Sequence, residues 1–176
     1  MKDTIEVMIS EATIQKRVLE LAEEISLDYK GLTLTLICVL KGGVIFFSDL
    51  SRRLQVDVEM DFIDVSSYSD STISSGVVRI DKDLERPITG KHVLLVEDIL
   101  DTGQTLSRLV RHLSAQRPKS LKVCTLLDKP ERRVINDVAP EYIGFSIPDK
   151  FVVGYGLDYA QKYRQLPYIG VLETRD

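Results

Sequence analysis

An α/β fold, a mostly parallel twisted sheet flanked by helices, is what this sequence predicts, on three observations. Short apolar runs of strand character alternate with stretches of helical spacing. One of the runs, residues 93–96, is wholly apolar, as strands buried on both faces are, and another, 32–40 (LTLTLICVL), is short and rich in β-formers. Glycine turns at Gly42–Gly43 and Gly103 separate those runs from the helical stretches behind them. In such sheets ligands bind beyond the carboxyl ends of the strands, so functional loops are expected there.

Ser10 caps a predicted helix whose apolar positions Ile14, Val18, Leu21 and Ile25 recur at helical spacing, ending near Gly31. The 32–40 strand and its glycine turn lead into a helix carrying Phe47, Leu50 and Leu54. Val58, Met60 and Phe62 alternate with Glu59 and Asp61, which predicts a strand with one wet face near a sheet edge. Residues 66–76 are polar and serine-rich and read as a long loop before a second short strand at 77–80; loops of that length in compact domains are lids or disordered. The 93–96 strand runs into EDILDTGQT before Leu106, Leu109, Val110 and Leu113 take up helical spacing, and a further strand is predicted at 121–127. The tail, residues 142–172, holds short apolar runs with turns at Pro148, Gly154 and Gly156. It is expected to fold back over the carboxyl end of the sheet, as a small hood built from the chain ends.

With 176 residues, the chain is expected to form a single domain over 1–176 that buries a core without disulfides. Hydrophobic residues at 44% and charged residues at 28% are ordinary globular composition. Cys38 and Cys124 sit in apolar runs, where a thiol behaves as a small hydrophobe, and a reducing compartment suits them. Lys2, Asp3, Glu6 and Glu11 leave no signal-peptide core, and no run is long enough to span a bilayer. The expectation is a cytoplasmic protein with no membrane partner. A net charge of -4 counts against coating nucleic acid, and no nucleic-acid partner is expected, though a local basic patch stays open.

Residues 96–106, VEDILDTGQTL, place three acids and a Thr-Gly-x-Thr turn between a buried strand and a helix. Backbone amides from Thr102 through Thr105, Gln104 included, are expected at the helix N-terminus, where unpaired donors and the positive end of the dipole favour a phosphate. Gly103 lets the backbone approach it closely. Neither the P-loop spacing with its lysine nor a dinucleotide fingerprint is present. Glu97 and Asp98 suit sugar hydroxyls or a magnesium shell. His92 and His112 lie in no metal-ligand or nucleophile pattern and read as structural or surface residues.

A hydrophobic strand followed by an acidic pair and a D-T-G-x-T turn closely resembles the signature of the type I phosphoribosyltransferase family. The resemblance extends over residues 39–164. It implies that Thr102, Gly103, Gln104 and Thr105 bind the 5-phosphate of phosphoribosyl pyrophosphate, and that Glu97 and Asp98 contact the ribose hydroxyls and serve as metal ligands. The purine-specific branch has an aspartate at Asp101, near ring nitrogen seven, which implies a general base. Lys41, Gly42 and Gly43 match the pyrophosphate loop, and enzymes of this kind can hold the peptide before the lysine in cis. Ser67 and Tyr68 match the lid pair that excludes water from the reacting centre, although Ser69 stands where many relatives have glycine. Lys129 matches the lysine that donates to the six-oxo group of hypoxanthine or guanine, a contact adenine's amino group cannot accept.

Residues 147–164, IPDKFVVGYGLDYAQKYR, resemble the family's base-binding segment almost continuously. The resemblance implies that Phe151 stacks on the purine, Val152 meets its edge through backbone, Asp158 is a magnesium ligand and Arg164 meets pyrophosphate. The implied activity is purine salvage. The 5-phosphoribosyl group passes from phosphoribosyl pyrophosphate to hypoxanthine or guanine, giving IMP or GMP and pyrophosphate, with Mg2+ as cofactor and a homo-oligomer, dimer or tetramer, as the assembly. Two rival readings stay open at this point: a regulator of the same fold that binds RNA or DNA, and an enzyme preferring xanthine or a pyrimidine. The order of hypoxanthine, guanine and xanthine rests on the group at ring carbon two.

Overall fold

The computed structural model describes residues 4–67 and 78–173. Six strands form the large sheet: β2 (Thr33–Leu40), β3 (Asp57–Ser67), β4 (Val78–Lys82), β5 (His92–Leu100), β6 (Ser120–Asp128) and β7 (Tyr142–Ser146). Their order is β4-β3-β2-β5-β6-β7, every pairing parallel except that of β3 with β4. Helices α1 (Glu11–Asp28) and α2 (Val44–Ser51) pack on one face, and α3 (Gln104–Ser114) on the other. The predicted mostly parallel α/β architecture is the observed one.

Local chemistry accounts for the element boundaries. Ser10 accepts from the Thr13 amide and starts α1, whose buried face is Ile14, Val18, Leu21, Ala22 and Ile25. The central strands β2 and β5 are buried almost end to end, as their apolar runs require. β5 continues through Leu100, so the acidic pair lies within the strand.

The hood expected from the chain ends is present, built on a strand the sequence did not predict, and three other expectations need correction. Residues 4–9 form a strand, β1 (Thr4–Ile9), which pairs with β9 (Ile169–Glu173), while β9 pairs on its other side with β8 (Val152–Val153). This second sheet is the hood, and a strand that gains its partner from the far end of the chain leaves little local signal. Leu54 lies beyond the end of α2. The wet-face reading of β3 fails, since Asp61 is 7% exposed and Met60 is 52% exposed. The Asp61 carboxylate accepts from the amides of Phe62, Glu85 and Arg86 and so closes the 83–87 loop over the strand. β3 also runs on to Ser67, taking the first residues of the expected loop.

Candidate active site

Every described loop singled out by sequence leaves the large sheet at the carboxyl ends of its parallel strands. Hydrogen-bonded register brings these ends level: Leu40 is paired with Asp64, and Leu100 with Asp128. β2 delivers Lys41, Gly42 and Gly43; β5 delivers Glu97, Asp98 and Asp101; β6 delivers Lys129; and the segment after β7 delivers Phe151.

Lys41 is exposed, and the peptide joining it to Leu40 is cis. A Cβ on Gly42 would lie 1.6 Å from Asp98 Oδ2, and one on Gly156 would lie 2.0 Å from the Gly42 carbonyl oxygen. Thus the two-glycine loop, the acidic pair and the hood meet at one point, an approach that at Gly156 stands against rigid backbone. Asp158 follows two residues later and pairs with Arg164 at 2.7 Å, while Arg164 Nη1 donates to the Gly156 carbonyl at 2.7 Å.

Glu97 is 6% exposed, and burial, then the charge of Asp98, raise its carboxyl pKa well above the usual range. Burial and the same two carboxylates push the Cys38 thiol up to about 12, so it stays protonated, in keeping with a small hydrophobe. Among the described residues no group of three or more His, Cys, Asp or Glu forms a ready-made metal centre. The donor chemistry still fits magnesium, which takes hard oxygens from one or two carboxylates and completes its shell with water and phosphate.

Gly103 caps α3 with a φ of +87°, and a Cβ there would lie 2.4 Å from the Ile135 carbonyl oxygen. The helix starts at Gln104, so Thr102 is the turn residue just before the Gly103 cap. Its carbonyl accepts from the amides of Val134 and Ile135, both at 3.0 Å, which holds it out of the helix. Gln104 and Thr105 do open the first turn, where an α-helix leaves N–H groups without intrahelical partners.

Asp101 accepts from Arg132 Nε at 3.1 Å, and its backbone carbonyl from Arg133 Nε at 3.1 Å. Arg133 also pairs with Asp128. Lys129 is buried, with Nζ 3.9 Å from Asp149 Oδ1. Phe151 is 54% exposed and meets Tyr159 edge to face at 5.7 Å, while Val152 is buried in β8 opposite Val171. Ser67 ends β3, and Tyr68 lies outside the described residues. His112 pairs with Asp83 and His92 Nδ1 with Ser120, both away from these loops.

Arg132, Arg133, Asp149 and Tyr159 were missed by sequence reasoning. The Arg-Arg pair after Pro130 shows no periodicity, and its partners lie about 30 residues upstream at Leu100 and Asp101 and only five upstream at Asp128. Asp149 and Tyr159 lie inside the 147–164 segment, where no spacing singles them out.

The chain matches the phosphoribosyl transferase domain over residues 10–160. It is 54% identical over 172 residues to a hypoxanthine phosphoribosyltransferase of Escherichia coli K12, covering 97% of this chain and 96% of that one. It is 51% identical over 174 residues to a hypoxanthine-guanine phosphoribosyltransferase of Bacillus subtilis, covering 98% and 96%. A crystal structure of a hypoxanthine-guanine phosphoribosyltransferase from Bacillus anthracis superposes with a TM-score of 0.90 at 49% identity, covering 97% of this chain and 99% of that one. With a matching fold, loops gathered at the carboxyl ends of the parallel strands and near full-length similarity, this chain belongs to the phosphoribosyl transferase family.

Proposed function

We propose that the chain transfers the 5-phosphoribosyl group of phosphoribosyl pyrophosphate to hypoxanthine, and to guanine, releasing pyrophosphate and forming IMP or GMP. The observation that carries this reading is the gathering of four features at the carboxyl ends of the parallel strands: two-glycine turn, acidic pair, glycine-capped helix start and buried lysine.

The start of α3 with Thr102, Gly103, Gln104 and Thr105 cradles the 5-phosphate. Glu97 and Asp98 accept from the ribose hydroxyls, which relieves two carboxylates held close together. Lys41, Gly42, Gly43 and Arg164 receive the pyrophosphate. Phe151 presents an open aromatic face to the base, Val152 meets its edge through backbone, and Lys129 donates to its six-oxo group. Displacement at the anomeric carbon breaks the bond to pyrophosphate oxygen and forms the bond to the purine nitrogen, and Asp101 takes the proton at ring nitrogen seven. Glu97, Asp98 and Asp158 are the residues that would hold magnesium, which when bound offsets the charge of the leaving pyrophosphate. Ser67 and Tyr68 are assigned to the covering lid on sequence resemblance alone.

The chain acts as one phosphoribosyltransferase domain, a reading supported by a core cluster that joins Ile9, Val152 and Ile169 of the hood to Leu36 and Val96 of the large sheet. It is also read as a cytoplasmic homo-oligomer. The test is to incubate the protein with magnesium, phosphoribosyl pyrophosphate and hypoxanthine, guanine, xanthine or adenine in turn, following nucleotide formation. Product from the first two and none from adenine is expected; no product from any base sinks the proposal.

A further inference from the structure

The loop after β6 carries two cations on one short scaffold. Lys129 precedes a single 3-10 turn, Pro130–Arg132, and the Arg132 amide donates to the Lys129 carbonyl at 3.1 Å. In a 3-10 turn residues three apart lie nearly above one another. One oxygen of Asp149 faces both cations, 3.9 Å from Lys129 Nζ and 3.8 Å from Arg132 Nε. Arg132 then reaches across to Asp101, where Nε donates to Oδ1 at 3.1 Å.

Backbone and side chain of Asp101 are thus held by different arginines. Arg133, largely buried, holds the backbone through the Asp101 carbonyl and is anchored on Asp128. Arg132 is about half exposed and touches only the carboxylate. An exposed ion pair of this kind contributes little to stability, so its role is to be sought in the chemistry.

We propose that Arg132 is a positioning residue for Asp101: by engaging Oδ1 it turns the carboxylate so that Oδ2 meets the proton of the incoming purine. This rests on Asp101 as the proton acceptor. Among the described residues the side chain of Arg132 bonds to Asp101 and faces Asp149, so its loss is expected to leave the binding of phosphoribosyl pyrophosphate nearly unchanged.

The experiment compares wild type, Arg132→Ala, Arg132→Lys, Asp101→Ala and the double variant Arg132→Ala/Asp101→Ala, measuring kcat and both KM values with hypoxanthine. Arg132→Ala is expected to lower kcat about tenfold and to leave KM for phosphoribosyl pyrophosphate within about twofold. Arg132→Lys recovers at least about threefold of that loss, because the contact is single and a point charge can replace it. In the Asp101→Ala background, Arg132→Ala changes turnover by less than about twofold, since a residue acting through Asp101 has nothing left to act on.

Equal losses in both backgrounds, or no recovery with lysine, overturn the assignment. Should Arg132→Ala fail to fold, Arg132→Met keeps the apolar stem out to the position of Nε without a donor and is read by the same criteria. Wild-type turnover in Asp101→Ala sinks the proton-acceptor reading beneath the proposal; an impaired Asp101→Ala beside an unaffected Arg132→Ala sinks the role of Arg132 alone.

Discussion

Asp101 has little structural work, being part exposed and bonded through its side chain to an exposed arginine. Asp101→Ala is therefore expected to keep the thermal midpoint while lowering kcat by about 10²–10⁴-fold, with KM for phosphoribosyl pyrophosphate nearly unchanged; unchanged turnover removes it as general base. Two glycines make a sharper contrast. The neighbour of a Cβ on Gly42 is the end of the Asp98 side chain, which can swing away, so Gly42→Ala should fold and lose ligand affinity. At Gly156 the neighbour is backbone and φ is +104°, so Gly156→Ala should cost at least about 2 kcal/mol in urea unfolding. Sequence marked both positions as turns, because glycine punctuates a chain visibly. Which of the two stood against rigid backbone was not legible, since the opposing group lies more than a hundred residues away.

The hood is latched to the helices by Asp49 of α2. Its Oδ2 accepts from Gln15 of α1 at 2.9 Å and from the Tyr155 hydroxyl at 2.7 Å, and Arg52 pairs with Oδ1 at 2.6 Å. Burial acts to raise the Asp49 pKa, but those bonds outweigh it and hold the carboxyl below its ordinary value of 3.8. With the folded value depressed, the unfolded chain binds the extra proton first as pH falls. The stabilisation is therefore present above about pH 4 and is lost as pH drops through the folded value. Asp49→Asn should cost about 1 kcal/mol at pH 7, with the gap to wild type narrowing below about pH 4 in denaturant titrations. A gap that widens in acid contradicts this account. The cores of β2, β5 and α1 were legible because burial imposes its own period on a sequence. β1 was not, because a short edge strand of the hood alternates only weakly, with Ile5, Met8 and Ile9 its more sheltered positions.

Hood and large sheet share one apolar cluster, in which Ile169, Val152 and Ile9 join Leu36, Leu94 and Val96. Ile169 is fully buried, so Ile169→Ala should cost about 2–5 kcal/mol. The loss should show as one unfolding transition, coincident by far-ultraviolet circular dichroism and tyrosine fluorescence. Two separated transitions would mean that the hood melts alone. By itself the sequence determined the fold class and which candidate loops lie at the carboxyl ends of the strands, because buried strands need continuous apolar runs and tight turns need glycine at defined places. Tertiary structure alone decided that Arg132 reaches Asp101, that Asp61 is buried and Met60 open, and that Gly156 closes on Gly42. Each is a contact between segments distant along the chain, and neither propensity nor periodicity reports which distant groups will meet.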